Sequence, residues 1–339
     1  MSRPSLGALL IVFALAVGGA VTAGPAAQIS GAAVRVMVAP EQRSDIKVEV
    51  VKQNGRLPLK VWTFAGRTHV DGGLGRRFRS CRLRSGAPGA VIDGLGEVGY
   101  DGLPLILLRT PLNARIFADA GAFGSTAGAD SLEFSNAGCG LWRLGPVRGR
   151  LKVSQAGAGV ARAAGAASTE LYAVDAGSVF SGPIEGPVMA MNFGAGQIEV
   201  DSASDQLIAR TAGAGVVHVL AGHVALLKAQ VAGAGAVTFD GVADSLDASV
   251  VGSGAIEVGR VTGPIKKQVI GSGSVRVAAV GAAPAASAPL TGQSSTSINR
   301  PPSGAGQDSA PIDSAPKTGR PARRNAPKGV PAPFRVYRR

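Results

Sequence analysis

Between Gly138 and Val277 the chain repeats one hydrophobic pattern around small glycine-bearing corners. After successive corners come Val216-Val217-His218-Val219, Ala236-Val237-Thr238-Phe239, Ala255-Ile256-Glu257-Val258 and Ser274-Val275-Arg276-Val277. Before them lie Leu207-Ile208-Ala209-Arg210, Leu226-Leu227-Lys228-Ala229, Leu246-Asp247-Ala248-Ser249 and Ile265-Lys266-Lys267-Gln268, with looser alternation. Apolar residues at every second position predict short strands with one buried face. Recurring glycines and β-branched residues leave no stripe of helical period.

The corners themselves are regular. Gly-x-Gly signals at Gly138, Gly157, Gly194, Gly213, Gly233, Gly252 and Gly271, with a degenerate DAGS copy at Gly177, are spaced 19, 20, 17, 19, 20, 19 and 19 residues apart. A strand pair of this size cannot bury its apolar face alone, whereas similar coils stacked about 4.8 Å apart bury it continuously. The pattern therefore predicts an all-β fold, a parallel β-helix (β-solenoid) with coils of about 19–20 residues. A sandwich of hairpins is the rival, but its turns favour Asn-Gly or Asp-Gly over the Ala-Gly-Ala-Gly and Gly-Ser-Gly found here.

Outside this block the organisation changes. Residues 1–23 read as a signal peptide, with Arg3, an apolar run from Leu6 to Val17, and Val21-Thr22-Ala23 before the cut. Residues 24–115 read as an N-terminal β region, cap and lead-in; AAVRVMVAP and SDIKVEVVKQNGRL alternate, Asn54-Gly55 marks a turn, and Pro104 and Pro111 bracket an apolar strand. Residues 116–280 carry the glycine-cornered repeats, and 281–339 read as a disordered Pro/Ala/Ser-rich basic tail with too little apolar surface to offset chain entropy.

Composition sharpens this picture. Glycine supplies 49 of 339 residues and aromatics only 4%, which suits a narrow core of small side chains. Two cysteines in an exported chain point to one disulfide, Cys81 to Cys139. The net charge of +13 is uneven: from Gly281 onward nine Arg or Lys face Asp308 and Asp313, contributing +7. Arg323, Arg324, Arg335, Arg338 and Arg339, beside Phe334 and Tyr337, are candidates for contact with an anionic surface.

The coils SLDASVVGSGAIEV and PIKKQVIGSGSVRV, preceded by VRVMVAP and SDIKVEV, resemble the putative auto-transporter adhesin head GIN domain family. Leu246, Ala248, Val250, Gly252, Gly254, Ile256 and Val258 match its repeat, as do Val269, Gly271, Gly273, Val275 and Val277. The stretch from Asp175 to Val179 lacks one glycine, and Cys139 replaces a small residue. The resemblance, over roughly residues 28 to 280, implies export and a parallel β-helical body; it carries no catalytic residues across.

The expected chemistry is correspondingly sparse. Glu199 and Glu257 share a repeat position with His218, Thr238 and Arg276, and Leu220 separates Asp201 from Asp240, so no carboxylate ladder of the glycosidase kind is expected. Asp205, Asp244 and Asp247 read as solvated acids, and His69 is remote in sequence. His218 and His223 could converge across a corner near Asp201, but lack further ligands at metal-site spacing. DGGLGRR at Asp71 is not a dinucleotide fingerprint, and the Gly-Ser-Gly corners lack the context of a nucleophile elbow.

The reading is thus an exported structural or binding module of the envelope, in the periplasm or at the cell surface. No catalytic, cofactor or metal site is expected. Its partner would be an anionic envelope polymer, a lipid surface or an envelope protein, not nucleic acid, with no transmembrane span; oligomeric state is left open. The alternatives are a carbohydrate-active β-helix enzyme, a polysaccharide hydrolase or lyase, and a self-assembling surface fibre.

Overall fold

The computed structural model describes residues 25–83 and 88–281. The leader at 1–23 and, beyond Gly281, the basic tail with Arg323, Arg324, Arg335, Arg338 and Arg339 lie outside the described residues. Contacts separate a unit ending at Ala285 from a second, Ala286–Arg339, which lies wholly outside them.

The described chain is strand throughout, apart from loops and two 3-10 turns at Gly75–Arg77 and Tyr100–Gly102. Its body is a parallel β-solenoid of about nine turns. Each regular coil places one strand in a first wall and the next in a second wall, on opposite sides of the glycine corner. In the first wall Leu207 lies beside Val188 and Leu227; in the second, Val217 lies beside Ile198 and Val237. Bridges such as Ala166 to Ile184 and Ile184 to Ala203 form a shorter third wall between coils.

The register corrects the expected marker in the degenerate coil. Asp175, not Gly177, lies beside Gly194, so the corners fall at residues 157, 175, 194 and 213. Asp175 adopts φ of +56° where its neighbours use glycine. Aspartate is among the few residues that tolerate the left-handed region, which lets this coil keep its bend.

Inward positions form stacked columns. One runs Leu171, Ala190, Ala209, Ala229 and Ala248, while Val200, Val219, Phe239 and Val258 stack on the other wall, all in the buried core. The Phe239 ring lies over Gly241, where a Cβ would stand 2.5 Å from its Cζ. In earlier coils Phe134 and Trp142 fill the interior, with ring centroids 4.8 Å apart.

Two pairs of polar residues, separated by Ala173, stack within this apolar core. Asn136, Gln155, Asn192 and Thr211 each stand two residues before a corner glycine and are buried. Bends turn backbone carbonyls inward, and buried carbonyls need donors. Asn136 Nδ2 donates to Gln155 Oε1 at 3.0 Å, while Gln155 Nε2 donates to the Ala156 and Gly138 oxygens at 2.7 and 3.3 Å. Further along, Asn192 Nδ2 donates to the Gly196 oxygen at 2.6 Å and Thr211 Oγ1 to the Gly215 oxygen at 3.1 Å. Gln155→Ala strands these groups in a dry interior and is expected to lower unfolding free energy by about 2–3 kcal/mol in chemical denaturation. A loss under about 0.5 kcal/mol, the scale of surface changes, would contradict this role.

The N-terminal end is built from eleven strands. Strands β1 (Ala26–Ser30) and β2 (Ala33–Glu41) form a coil. The following strands are β3 (Lys47–Lys52), β4 (Lys60–Phe64) and β5 (Arg67–Asp71). Then come β6 (Phe78–Arg82), β7 (Gly89–Ile92) and β8 (Gly96–Gly99). β9 (Leu105–Pro111), β10 (Asn113–Ala118) and β11 (Gly121–Thr126) complete this end.

β1 lies between β5 and β10, and β2 between β9 and β11, all in parallel. The chain therefore leaves the first coil, builds a layer outside it, and returns on its other side. Antiparallel β4 and β3 pair with β5 and β9, finishing this end, while β6, β7 and β8 form a separate antiparallel sheet. Leu57, Leu74, Ile92, Leu103 and Phe123 make a second small core beside the solenoid.

At the other end the last coil is open among the described residues. Lys267 lies beside Ala248, in the otherwise small, core-facing column, and Val269 and Ile270 are exposed.

Candidate binding surface

Parallel coils in register turn every outward position into a column, with neighbours one strand apart, about 4.8 Å. On the second wall one column runs Arg143, Arg162, Phe180, Glu199, His218, Thr238, Glu257 and Arg276. The Arg162 guanidinium lies 4.0 Å from the Phe180 ring centroid, and Arg276 pairs with Glu257 at 3.5 Å. His218 and Thr238 separate Glu199 from Glu257 by three strand steps, roughly 14 Å along the backbone. That span is wider than the 5–9.5 Å separation of paired glycosidase carboxylates.

The two nearby histidines do not join Asp201. His218 Nε2 contacts Asp240 Oδ2 at 2.7 Å, and His223 Nε2 contacts Asp244 Oδ1 at 2.8 Å. Thr262 Oγ1 also donates to Asp244 Oδ1, at 3.0 Å. These partners, His223 first, hold the Asp244 carboxyl below its ordinary range. His223 and Thr262 converge on the one Asp244 carboxylate, so the imidazole does not contact the hydroxyl to activate it as a nucleophile. Among the described residues no group of three or more His, Cys, Asp or Glu could hold a metal ion.

The first wall carries a different chemistry. One outward column alternates in sign through Arg115, Glu133, Lys152 and Glu170. Arg115 Nε contacts Glu133 Oε2 at 2.6 Å, Lys152 reaches the same carboxylate at 3.5 Å, and Arg150 pairs with Glu170. The adjacent column reads Trp62, His69, Gln28, Phe117, Ser135, Ser154 and Tyr172, from β4 through the fifth regular first-wall strand. The Trp62 and His69 rings stack with centroids 5.0 Å apart and planes within 4°.

Phe117 lies beneath two guanidinium groups, Arg67 at 5.3 Å and Arg115 at 5.4 Å, and Lys152 stands 6.0 Å from the Tyr172 ring. Trp62 is 44% exposed and Phe64, at the tip of the β4–β5 hairpin, 74%. Sequence reading missed this strip, because its members come from distant segments and only the register unites them. Of the expected site residues, Cys81 and Cys139 are joined in a disulfide that ties β6 to the corner after Asn136. The five tail arginines belong to the chain outside the described residues.

The coils from Val179 onward hold the regular corners and matched columns that the resemblance requires. Residues 179–280 match the family of the putative auto-transporter adhesin, head GIN domain. The GIN-domain match begins just past Asp175, where the glycine pattern becomes regular, while the solenoid itself continues N-terminal to it. No curated protein matches the sequence.

Among solved structures, a putative lipid binding protein from Parabacteroides distasonis ATCC 8503 aligns at 14% identity and TM-score 0.45, covering 75% of this chain and 93% of that one. A putative adhesin from Parabacteroides merdae ATCC 43184 aligns at 15% identity and TM-score 0.47, covering 75% and 92%. At such distances neither likeness assigns a role. No helix among the described residues is long and apolar enough to cross a membrane.

Proposed function

We propose that the protein is an exported, non-catalytic binding module of the cell envelope, in the periplasm or at the cell surface. The observation that carries this reading is the first wall: a sheet face, parallel up to its antiparallel edge strand β4, that fixes cations and partly exposed aromatic rings in columns, including Trp62, Arg67, Phe117 and Arg115. A surface held by backbone pairing meets a partner with little loss of conformational freedom.

Three features support the envelope assignment. The N-terminal segment has the charge, apolar run and small-residue cut of an export signal. The disulfide suits an oxidising compartment. The family matched over residues 179–280 is described as an adhesin head. In this reading Arg323, Arg324, Arg335, Arg338 and Arg339 add electrostatic attachment that weakens with salt.

Fractionation of producing cells, with N-terminal sequencing, tests the proposal. The mature chain is expected to start at Gly24, to leave the cytoplasm, and to sediment with isolated envelopes without cleaving their polysaccharide. Uncleaved protein in the cytoplasm would overturn the export reading. A hydrolase or lyase activity lost on Asp240→Asn or Glu257→Gln would replace the module with an enzyme.

A further inference from the structure

We propose that the aromatic and cationic strip of the first wall binds an extended acidic polysaccharide, an inference that rests on the binding-module reading. The strip is periodic along the coil axis. Trp62 and Phe117 are three strand steps apart in one column, and Phe117 and Tyr172 are another three, each interval being roughly 14 Å. Between the rings stand His69 and Gln28 in the first interval, and Ser135 and Ser154 in the second. The exposed Trp62 ring offers a flat apolar surface to the C–H face of a sugar, the short polar groups between the rings can meet its hydroxyls, and Phe117 serves the strip by seating the two guanidinium groups above it.

The neighbouring column supplies the preference for acid. Arg67 and Arg115 flank Ala26 in register, so a small side chain separates two guanidinium groups. Phe117 holds both of them by its ring, and cations seated on an aromatic face keep their outer N–H groups for a ligand. Arg115 shares its charge with Glu133, but Arg67 makes its side-chain hydrogen bond to the neutral Gln28 Oε1 at 3.0 Å. Neither Arg67 nor Lys60 has a carboxylate ion-pair partner among the described residues.

Across this part of the wall Lys60, Arg67, Arg115, Arg150 and Lys152 meet Asp71, Asp119, Glu133 and Glu170, a surplus of one positive charge that centres on Arg67. A guanidinium is well shaped for a carboxylate or sulfate on a sugar. The polar residues between the rings argue against a lipid surface, because they leave none of the continuous apolar face that an interfacial membrane anchor buries.

The two tryptophans provide a local readout on the full-length protein, because Trp62 is 44% exposed and Trp142 is 1% exposed. Acrylamide quenching should therefore report mainly Trp62. Polygalacturonate, a uronic acid polymer, is expected to cut that quenching at least twofold, with the effect weakening as salt rises; a neutral dextran is expected to leave it unchanged. Arg67→Ala and Trp62→Ala each are expected to weaken polygalacturonate affinity on the order of tenfold, read for the latter by calorimetry. Trp62→Phe should retain most of it, and Asp240→Asn, on the other wall, should bind normally.

Polygalacturonate that leaves Trp62 fully quenchable would sink the proposal, as would equal protection by dextran. Protection by phosphatidylglycerol vesicles, with none from the polymer, would make a lipid surface the occupant instead. Should Arg67→Ala and Trp62→Ala bind the polymer as the parent does, the strip is not the site. If those variants also sediment with envelopes normally, the module reading survives and only the strip assignment falls.

Discussion

Gly252→Ala should lower the stability of the folded chain by about 3–5 kcal/mol, far more than a methyl group costs on an open surface. Gly252 has φ of +119°, a region that side chains rarely adopt. A Cβ there would also stand 2.6 Å from the Gly233 carbonyl oxygen of the preceding coil. The obstruction is backbone, so it cannot rotate away; relief requires the two coils to part. Gly55→Ala is the matched control, since a Cβ there meets nothing within 4 Å, and it should change stability by about 0.5 kcal/mol or less. Denaturant unfolding of both variants checks the pair. Similar behaviour would mean that the corner glycines are not in contact between coils.

Loss of the Cys81–Cys139 bond is the second large effect, about 4 kcal/mol from the chain entropy released when a loop of 58 residues opens. Cys81 sits on β6, within the small antiparallel sheet, and Cys139 on the solenoid. The bond thus fastens a sheet whose own core is small. Cys81→Ser with Cys139→Ser, or reduction of the parent, should lower the melting temperature. It should also speed hydrogen exchange first in β6, β7 and β8, leaving residues 188–261 protected. Identical melting with and without reductant would refute this role.

The coil was legible because its signal is local and repeated. Leu246, Ala248 and Val250 before the corner, and Ile256 and Val258 after it, alternate as inward positions should, and all are buried. Asp175 was harder. Its coil hides the corner by using aspartate where others use glycine, and only the pairing with Gly194 reveals it. The buried polar positions had a sequence signal of their own, since Asn136, Gln155, Asn192 and Thr211 all stand two places before a corner, yet a polar side chain gives no sign in the sequence that it faces the core.

The candidate strip was legible only in part: Phe117 and Tyr172 are three coils of the repeat apart, whereas nothing in the sequence brings Trp62 to them. Trp62, Phe117 and Tyr172 share one column although they come from an N-terminal hairpin, an early coil and a later one. Their alignment depends on the first coil being sandwiched between β5 and β10, and on the antiparallel addition of β4. Such long-range pairing leaves no periodic trace in the chain. His218 and His223 show the same limit: the next coil supplies Asp240 and Asp244, where spacing pointed to Asp201.

Every surface described above depends on successive coils lying parallel and in register. Pulsed electron resonance between nitroxides tests that directly, with one label at Ser154 and the other in turn at Gln230, Ser249 and Gln268, all in a single outward column. The account predicts separations that climb by about 4.8 Å per coil, roughly 19, 24 and 29 Å between backbone positions. Distances that fail to climb, or that alternate as antiparallel neighbours would make them, would contradict it.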